Sequence, residues 1–334
     1  MAGFGDGSVS AEQMDAHFDQ AVEETVRRFE ATGSPVISDG EQSKSSFATY
    51  PLEGLASLSP NGVTIPFDDG HTRQLPVITE GPFEYQNLAG SYVTRTKKFT
   101  DMPIKQAVIS ASAMGLLYPQ SGLDGYSQDQ FISDLVDQSA ADIQSCFDAG
   151  ADSVQMDFTE GRLALKLDPS GGLLQQFIDL NNQVLERFDA EQLQRIGVHT
   201  CPGGDHDSTH SADIDYTELI PKLMTLKSGR IFMQMASEEN PSTALAAVAD
   251  NLRPDQRVYV GVIDVCSGEV ESAETVRDRV LQAAEHIPLD QLGTTDDCGF
   301  SPFADDLATS RDMAFAKISA RVEGTAMAAD QLGV

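Results

Sequence analysis

The chain reads as an α/β protein, a TIM (β/α)8 barrel in which the first strand is not found, with an inserted β-hairpin flap. Three observations predict this. Seven short apolar runs alternate with longer segments of helical periodicity, a pattern that means parallel strands covered by helices. Most of these runs end in polar or ionisable residues, as strands do where a barrel gathers its chemistry. The 334 residues show no linker, internal repeat or low-complexity tract, so 1–334 is expected to be a single barrel domain.

The first element predicted is a helix over 10–32. Ser10 and Gln13 have capping-box spacing, Met14, Phe18, Val22, Val26 and Phe29 form one apolar stripe, and Gly33 and Pro35 stop the helix. Strands are predicted at Val36–Ser38, Ala107–Ser110, Ser153–Asp157, Ile196–His199, Ile231–Met235, Val258–Ile263 and Gln291–Thr295. Helical patterns stand between most of them, over Gln130–Ala149, Gly172–Phe188, Tyr216–Lys227, Ser242–Leu252 and Ala273–His286, and a last helix is predicted from Ser310 to Gln331. The rhythm breaks once, between 60 and 82. There Val63–Phe67 and Gln74–Thr79 flank Asp68-Asp69-Gly70, a hairpin signal. Seven strands where a barrel has eight leave a gap, or a place that a homodimer contact or a protein partner fills.

A composition 40% hydrophobic supports a sizeable core. No apolar run approaches the roughly 18 residues of a membrane span. Met1 to Ser10 is polar and Gly-rich, without the pattern of a signal peptide. A cytoplasmic protein with no membrane partner is expected. The net charge of −30 repels phosphate backbones, which argues against nucleic acid. Four cysteines (Cys146, Cys201, Cys266, Cys298) are too few for a disulfide scaffold, so each is a core thiol or a ligand.

The strand ends carry the candidate chemistry. Asp39-Gly40-Glu41, Phe158 to Arg162, His199 to Asp205, Gln234 with Ser237 to Glu239, and Asp296 to Phe300 all fall there. His199 and Cys201 are the most informative pair. Imidazole and thiolate both ligate zinc, and an H-x-C step on an extended chain turns both side chains to one face. Cys298, ending another strand, is placed to converge on the same ion. Three protein ligands plus an exchangeable position make a catalytic zinc site rather than a closed structural one. Two unrelated cysteines and a hydrogen-bonded histidine is the alternative by spacing alone. Glu160 and Arg162 are expected to pair, or Arg162 to hold a substrate carboxylate. Lys105 and Gln106 are expected to be buried polar supports.

His199-Thr200-Cys201 followed by Asp297-Cys298-Gly299 resembles the zinc motifs of the cobalamin-independent methionine synthase family. Asp39-Gly40-Glu41 resembles the family's H-G-E segment, and Gln155-Met156-Asp157 its Q-x-D segment. Val108 to Pro119 resembles the segment leading to a pterin-stacking Trp, with Tyr118 at that place. The order matches from about Val36 to the end of the chain. The resemblance implies a zinc cofactor on His199, Cys201 and Cys298, with Gln234 where the family has a Glu and Glu238 as its substitute. It implies Glu41, Gln155 and Asp157 around the amino-acid substrate and Tyr118 on a folate-type methyl donor. It implies methyl transfer from 5-methyltetrahydrofolate to homocysteine or another small thiol, with zinc holding the acceptor as thiolate. His210 is the candidate proton donor to the folate nitrogen, because histidine titrates near working pH. Asp297 is the second candidate catalytic group. Three departures stand out: Gln234 in place of the Glu, Tyr118 in place of the Trp, and no counterpart before Ser10 of the family's first strand. Rival expectations are alkyl transfer with an epoxide or corrinoid donor, a zinc-free decarboxylase on the same fold, and a non-catalytic subunit.

Overall fold

A computed structural model describes residues 9–303 and 305–334. The first helix, Ala11–Thr32, starts on the capping box of Ser10 and Gln13 and ends on Gly33 in the left-handed region. Val22 and Val26 are its buried face, and Phe29 meets Phe315 of the last helix edge-on at 5.1 Å.

The insertion folds as two small sheets rather than one hairpin. β1 (Leu58–Ser59) pairs antiparallel with β4 (Val77–Ile78), and β2 (Thr64–Pro66) with β3 (Thr72–Gln74). The second arm expected over 74–79 therefore breaks at Pro76, which has no N–H to extend the ladder.

The central sheet is parallel and six-stranded. It consists of β5 (Lys105–Ile109), β6 (Ser153–Asp157), β7 (Ile196–Thr200), then, beyond a small hairpin of β8 (Gly204–Asp205) and β9 (Ser208–Thr209), β10 (Arg230–Met233), β11 (Arg257–Ile263) and β12 (Leu292–Asp296). The order across the sheet is β12-β11-β10-β7-β6-β5. Six of the seven expected strands are present, each within a residue or two of its expected bounds. The seventh, 36–38, reduces to one parallel bridge between Ile37 and Ile104, because Gly40 and Glu41 turn the chain away at positive φ.

One face of the sheet carries Val154, Met156, Ile196, Val198, Ile231 and Val258, all buried in the main core with the helices. The opposite face carries Gln155, Asp157, Gly197, His199, Phe232 and Tyr259. That face is concave. Lys105 on β5 lies 4.5 Å over the Phe232 ring on β10, three strands along, whereas flat strands at that separation stand about 14 Å apart. Gly197 and Gly293 make room, since a Cβ at either would overlap the stacked rings of Phe232 and Tyr259.

Helices Gln128–Asp148, Gly172–Leu185, Tyr216–Leu223, Pro241–Asn251, Ala273–Ala284 and Arg311–Leu332 fall where their periodicity places them. Among the described residues no helix is long and apolar enough to cross a membrane.

Candidate metal centre

Two strand ends and one loop build the centre. His199, the penultimate residue of β7, and Cys201 beyond it are two residues apart and share the concave face. β12 ends at Asp296, two residues before Cys298. The ligand atoms of His199, Cys201 and Cys298 lie within 4.8 Å of one another. The two sulfurs are 3.2 Å apart, and the Gly203 N–H donates to Cys201 Sγ at 3.4 Å. With the Cys201 thiol as donor, Cys298 is held well below an ordinary thiol and Cys201 well above one, and the His199 imidazole further favours a thiolate at 298.

Gln234 joins them by register. It follows β10, and the pairing of Met233 with Thr200 carries it beside Cys201. Its nitrogen donates to Ser237 Oγ at 2.7 Å, which leaves the amide oxygen as the free end. That oxygen and His199 Nε2 are buried without a hydrogen-bond partner. Each such atom costs about 1–3 kcal/mol unless something binds it. Two thiols, an imidazole and an amide oxygen with unused lone pairs fit a tetrahedral zinc ion.

Glu238, the alternative fourth ligand, is committed elsewhere. It pairs with Arg162, whose guanidinium is 1% exposed and lies 4.1 Å over the Tyr216 ring. The expected Glu160–Arg162 pair is therefore not formed. Two residues apart at the start of the helix Gly161–Leu167 they diverge. Glu160 instead accepts from the hydroxyls of Ser110 and Ser112, and burial pushes it up to about 7.

Both oxygens of the Asp297 carboxylate are taken up by the segment 235–237. Its Oδ1 accepts from Met235 N and Ala236 N, and its Oδ2 from Ser237 N and Oγ, all at 2.7–2.9 Å. Gly261 leaves space for this carboxylate, where a Cβ would overlap it.

His210 is placed against Gly203, whose φ of 70° and bare Cα let the ring lie over the backbone. Burial, helped by the Lys166 ammonium, pushes the imidazole down to about 4. It is thus almost wholly neutral at pH 7, whereas an ordinary histidine, with a pKa of about 6.5, still carries a usable fraction of its protons there.

Of the expected substrate residues, Gln155 and Asp157 sit together on β6. Gln155 Nε2 donates to Asp157 Oδ1 at 2.8 Å, and Asp157 is in register with His199. Burial pushes Asp157 up to about 6. Glu41 sits in the strained turn with φ of 56°, its carboxylate 2.7 Å from the Lys44 ammonium. Lys44 is buried, also donates to Ala107 O at 2.8 Å, and lies 4.4 Å over the Tyr50 ring. No pattern in the sequence singles out Lys44, because a loop lysine has no period to obey. Tyr118 is tied to its own loop. Its hydroxyl donates to Tyr126 O at 2.7 Å, and its ring packs on Phe131 at 5.3 Å. These contacts occupy the hydroxyl and part of the ring.

The flap closes over the His210 corner. Asp68 N donates to Thr209 O at 2.9 Å, Arg73 binds both Asp205 and Asp305, and His71 Nε2 lies 2.9 Å from Asp205 Oδ2. Phe67 stacks on His71 at 4.3 Å and meets the His210 ring edge at 5.5 Å. Partial desolvation opposes charge on His71, but Asp69 and Asp205 outweigh it and its pKa is raised. A raised histidine contributes stability that is complete below about 6.5 and fades as pH climbs through the folded value. We therefore expect hydrogen exchange of residues 64–74, corrected for intrinsic rate, to speed up from pH 6 to 9, and His71→Gln to remove most of that dependence. A flap equally protected at both ends of the range contradicts the latch.

Comparison with known proteins places this centre in context. Residues 2–316 match the family model described as the cobalamin-independent synthase catalytic domain. The uncharacterized protein YxjH of Bacillus subtilis is 24% identical over 330 residues, spanning 93% of this chain and 85% of that protein. A 67-residue stretch is 40% identical to 2-hydroxypropyl-CoM lyase of Xanthobacter autotrophicus, covering 20% of this chain but only 16% of that protein. Among solved structures, a B12-independent methionine synthase from a Shewanella species, in complex with selenomethionine, superposes with a TM-score of 0.77 at 21% identity, covering 97% of this chain and 91% of that one. A putative vitamin-B12-independent methionine synthase from Listeria monocytogenes gives 0.71 at 20% identity, covering 96% and 90%.

Proposed function

The chain belongs to the cobalamin-independent synthase family through its catalytic domain, and from that premise we propose that it is a zinc-dependent thiol methyltransferase. The favoured reaction is methyl transfer from 5-methyltetrahydrofolate to homocysteine, giving methionine. The observation that carries this reading is the convergence of His199, Cys201 and Cys298 beside two buried, unpartnered acceptor atoms.

His199, Cys201, Cys298 and the Gln234 oxygen would hold the ion. Bound zinc supplies Lewis acidity, which keeps an acceptor sulfur as thiolate at neutral pH. The chain's own residues do the rest. Asp157 and Glu41 offer carboxylates to the acceptor's ammonium, and their fixed positions set the direction of the sulfur. The leaving nitrogen of the donor needs a proton. His210 serves as its source only when a bound anion lifts the imidazole, since as placed it is neutral. The flap residue Phe67 excludes water from that corner. Tyr118 as a pterin platform requires its loop to shift. A protein partner or second copy completing the sheet beside β12 belongs to this reading as well.

A second reading keeps the zinc and the thiolate and changes the substrates to another thiol and alkyl donor. The match to 2-hydroxypropyl-CoM lyase favours it.

The test is zinc content per chain of the purified protein, followed by methionine formation from homocysteine and methyltetrahydrofolate. One zinc and turnover support the favoured reaction. One zinc with turnover only of other thiols selects the second reading. A protein that takes up no zinc sinks both.

A further inference from the structure

The concave face holds a lysine that the reaction outlined above does not use. Lys105 opens β5 at the foot of the site. Its Nζ donates to Gln155 Oε1 at 2.6 Å and rests over the Phe232 ring. Asp157, Asp296, Arg230 and Arg321 are the other charges around it. Burial lowers its ammonium to about 8, which leaves it mostly charged in neutral solution. Burying an ammonium is unfavourable, and an apolar residue would fill the same space against Phe232 without that cost.

The chemistry of the Gln155 amide supplies a reason. Its two ends have nearly the same shape, but one accepts and the other donates. Lysine has three donors and no acceptor. Beside Lys105, Gln155 is therefore obliged to present its oxygen downward and its nitrogen upward. The upward nitrogen meets Asp157 Oδ1 at 2.8 Å. A donor there pins one carboxylate oxygen and leaves the other available. Without Lys105 the amide oxygen has no donor to anchor it, and the side chain can swing its nitrogen off the carboxylate.

We propose that Lys105 is a positioning residue: through the Gln155 amide it aims the Asp157 carboxylate at the ammonium of an amino-acid thiol. The inference rests on the reading of Asp157 as part of the acceptor site. Lys105 touches no substrate, and its effect is confined to the part of the acceptor that carries positive charge. Binding of the donor and of the metal are outside its reach.

The experiment compares equilibrium binding of homocysteine and of 4-mercaptobutanoate, which keeps the thiol and carboxylate and lacks the amine, to the zinc-loaded protein. A charge-assisted hydrogen bond gives the unaltered protein roughly a tenfold to hundredfold preference for homocysteine. In Lys105→Met the preference falls about tenfold, to what the Glu41 carboxylate alone sustains, with zinc content and 4-mercaptobutanoate affinity unchanged. Lys105→Arg, again a pure donor, restores it. Gln155→Met, which deletes the link and keeps the lysine, lowers the preference alike, and it stands in if Lys105→Met does not fold. A preference that survives undiminished in these variants overturns the positioning role and leaves the acceptor site intact. No preference in the unaltered protein overturns the acceptor reading and this inference with it.

Discussion

Cys298→Ser is expected to strip the protein of zinc and to lower thiol alkylation by roughly a thousandfold or more, about 4 kcal/mol at 1.4 kcal/mol per tenfold. Three features make the effect large. Its sulfur is one of only two thiols in the cluster, 3.2 Å from the other. It is the thiol already favoured as thiolate before any metal arrives. Gln234 is neutral, so losing one thiolate halves the negative charge that the set offers a divalent ion. Cys201→Ser should behave alike. Cys266→Ser, a thiol outside the cluster, should keep its zinc. The measurement is metal per chain together with initial rate. A Cys298→Ser protein that retains one zinc and its rate would overturn the metal centre.

Glu238→Gln is expected to cost about 3–5 kcal/mol of folding stability while leaving zinc at one per chain. Its partner Arg162 is 1% exposed, with the guanidinium against Tyr216, so burial holds it away from the solvent that would screen the lost countercharge. The loss appears as a lower denaturant midpoint at unchanged slope. The same variant decides between two fourth ligands. Zinc lost along with stability would move the ligand from Gln234 to Glu238, against the ion pair seen here.

Much of the frame was legible in the chain, because helices and strands leave local signatures. Ser10 with Gln13 and Gly33 bounded the first helix, and the polar ends after β6, β7 and β12 marked the rim. His199, Cys201 and Cys298 were legible because two stand an H-x-C step apart at the end of one strand and the third follows the end of another. The resemblance supplied what spacing alone did not, the choice of zinc over unrelated thiols. What escaped is non-local or depends on one missing donor. Pro76 splits the flap. Arg162 finds Glu238 across 76 positions rather than Glu160 beside it. Lys44 gains its partners only from a carboxylate and a carbonyl that the fold delivers, and Lys105, expected as a polar support, has Gln155 as a partner that its own segment does not reveal. His210 has an ordinary sequence context, and its burial with the Lys166 ammonium nearby, which lowers its pKa, is set by distant segments.

The Asp297 carboxylate bears on how an ion would enter the proposed centre. It binds the backbone of residues 235–237 while sitting one peptide from Cys298, so the ends of β10 and β12 are joined into one rigid body. The arrangement of the ligands is then settled when the chain folds, not when the ion arrives. Such a cup would capture an ion with little ordering of the chain, in contrast to small zinc modules whose metal binding and folding are one event. The apo protein should accordingly keep its tertiary structure, and chelation should empty the centre without unfolding the sheet.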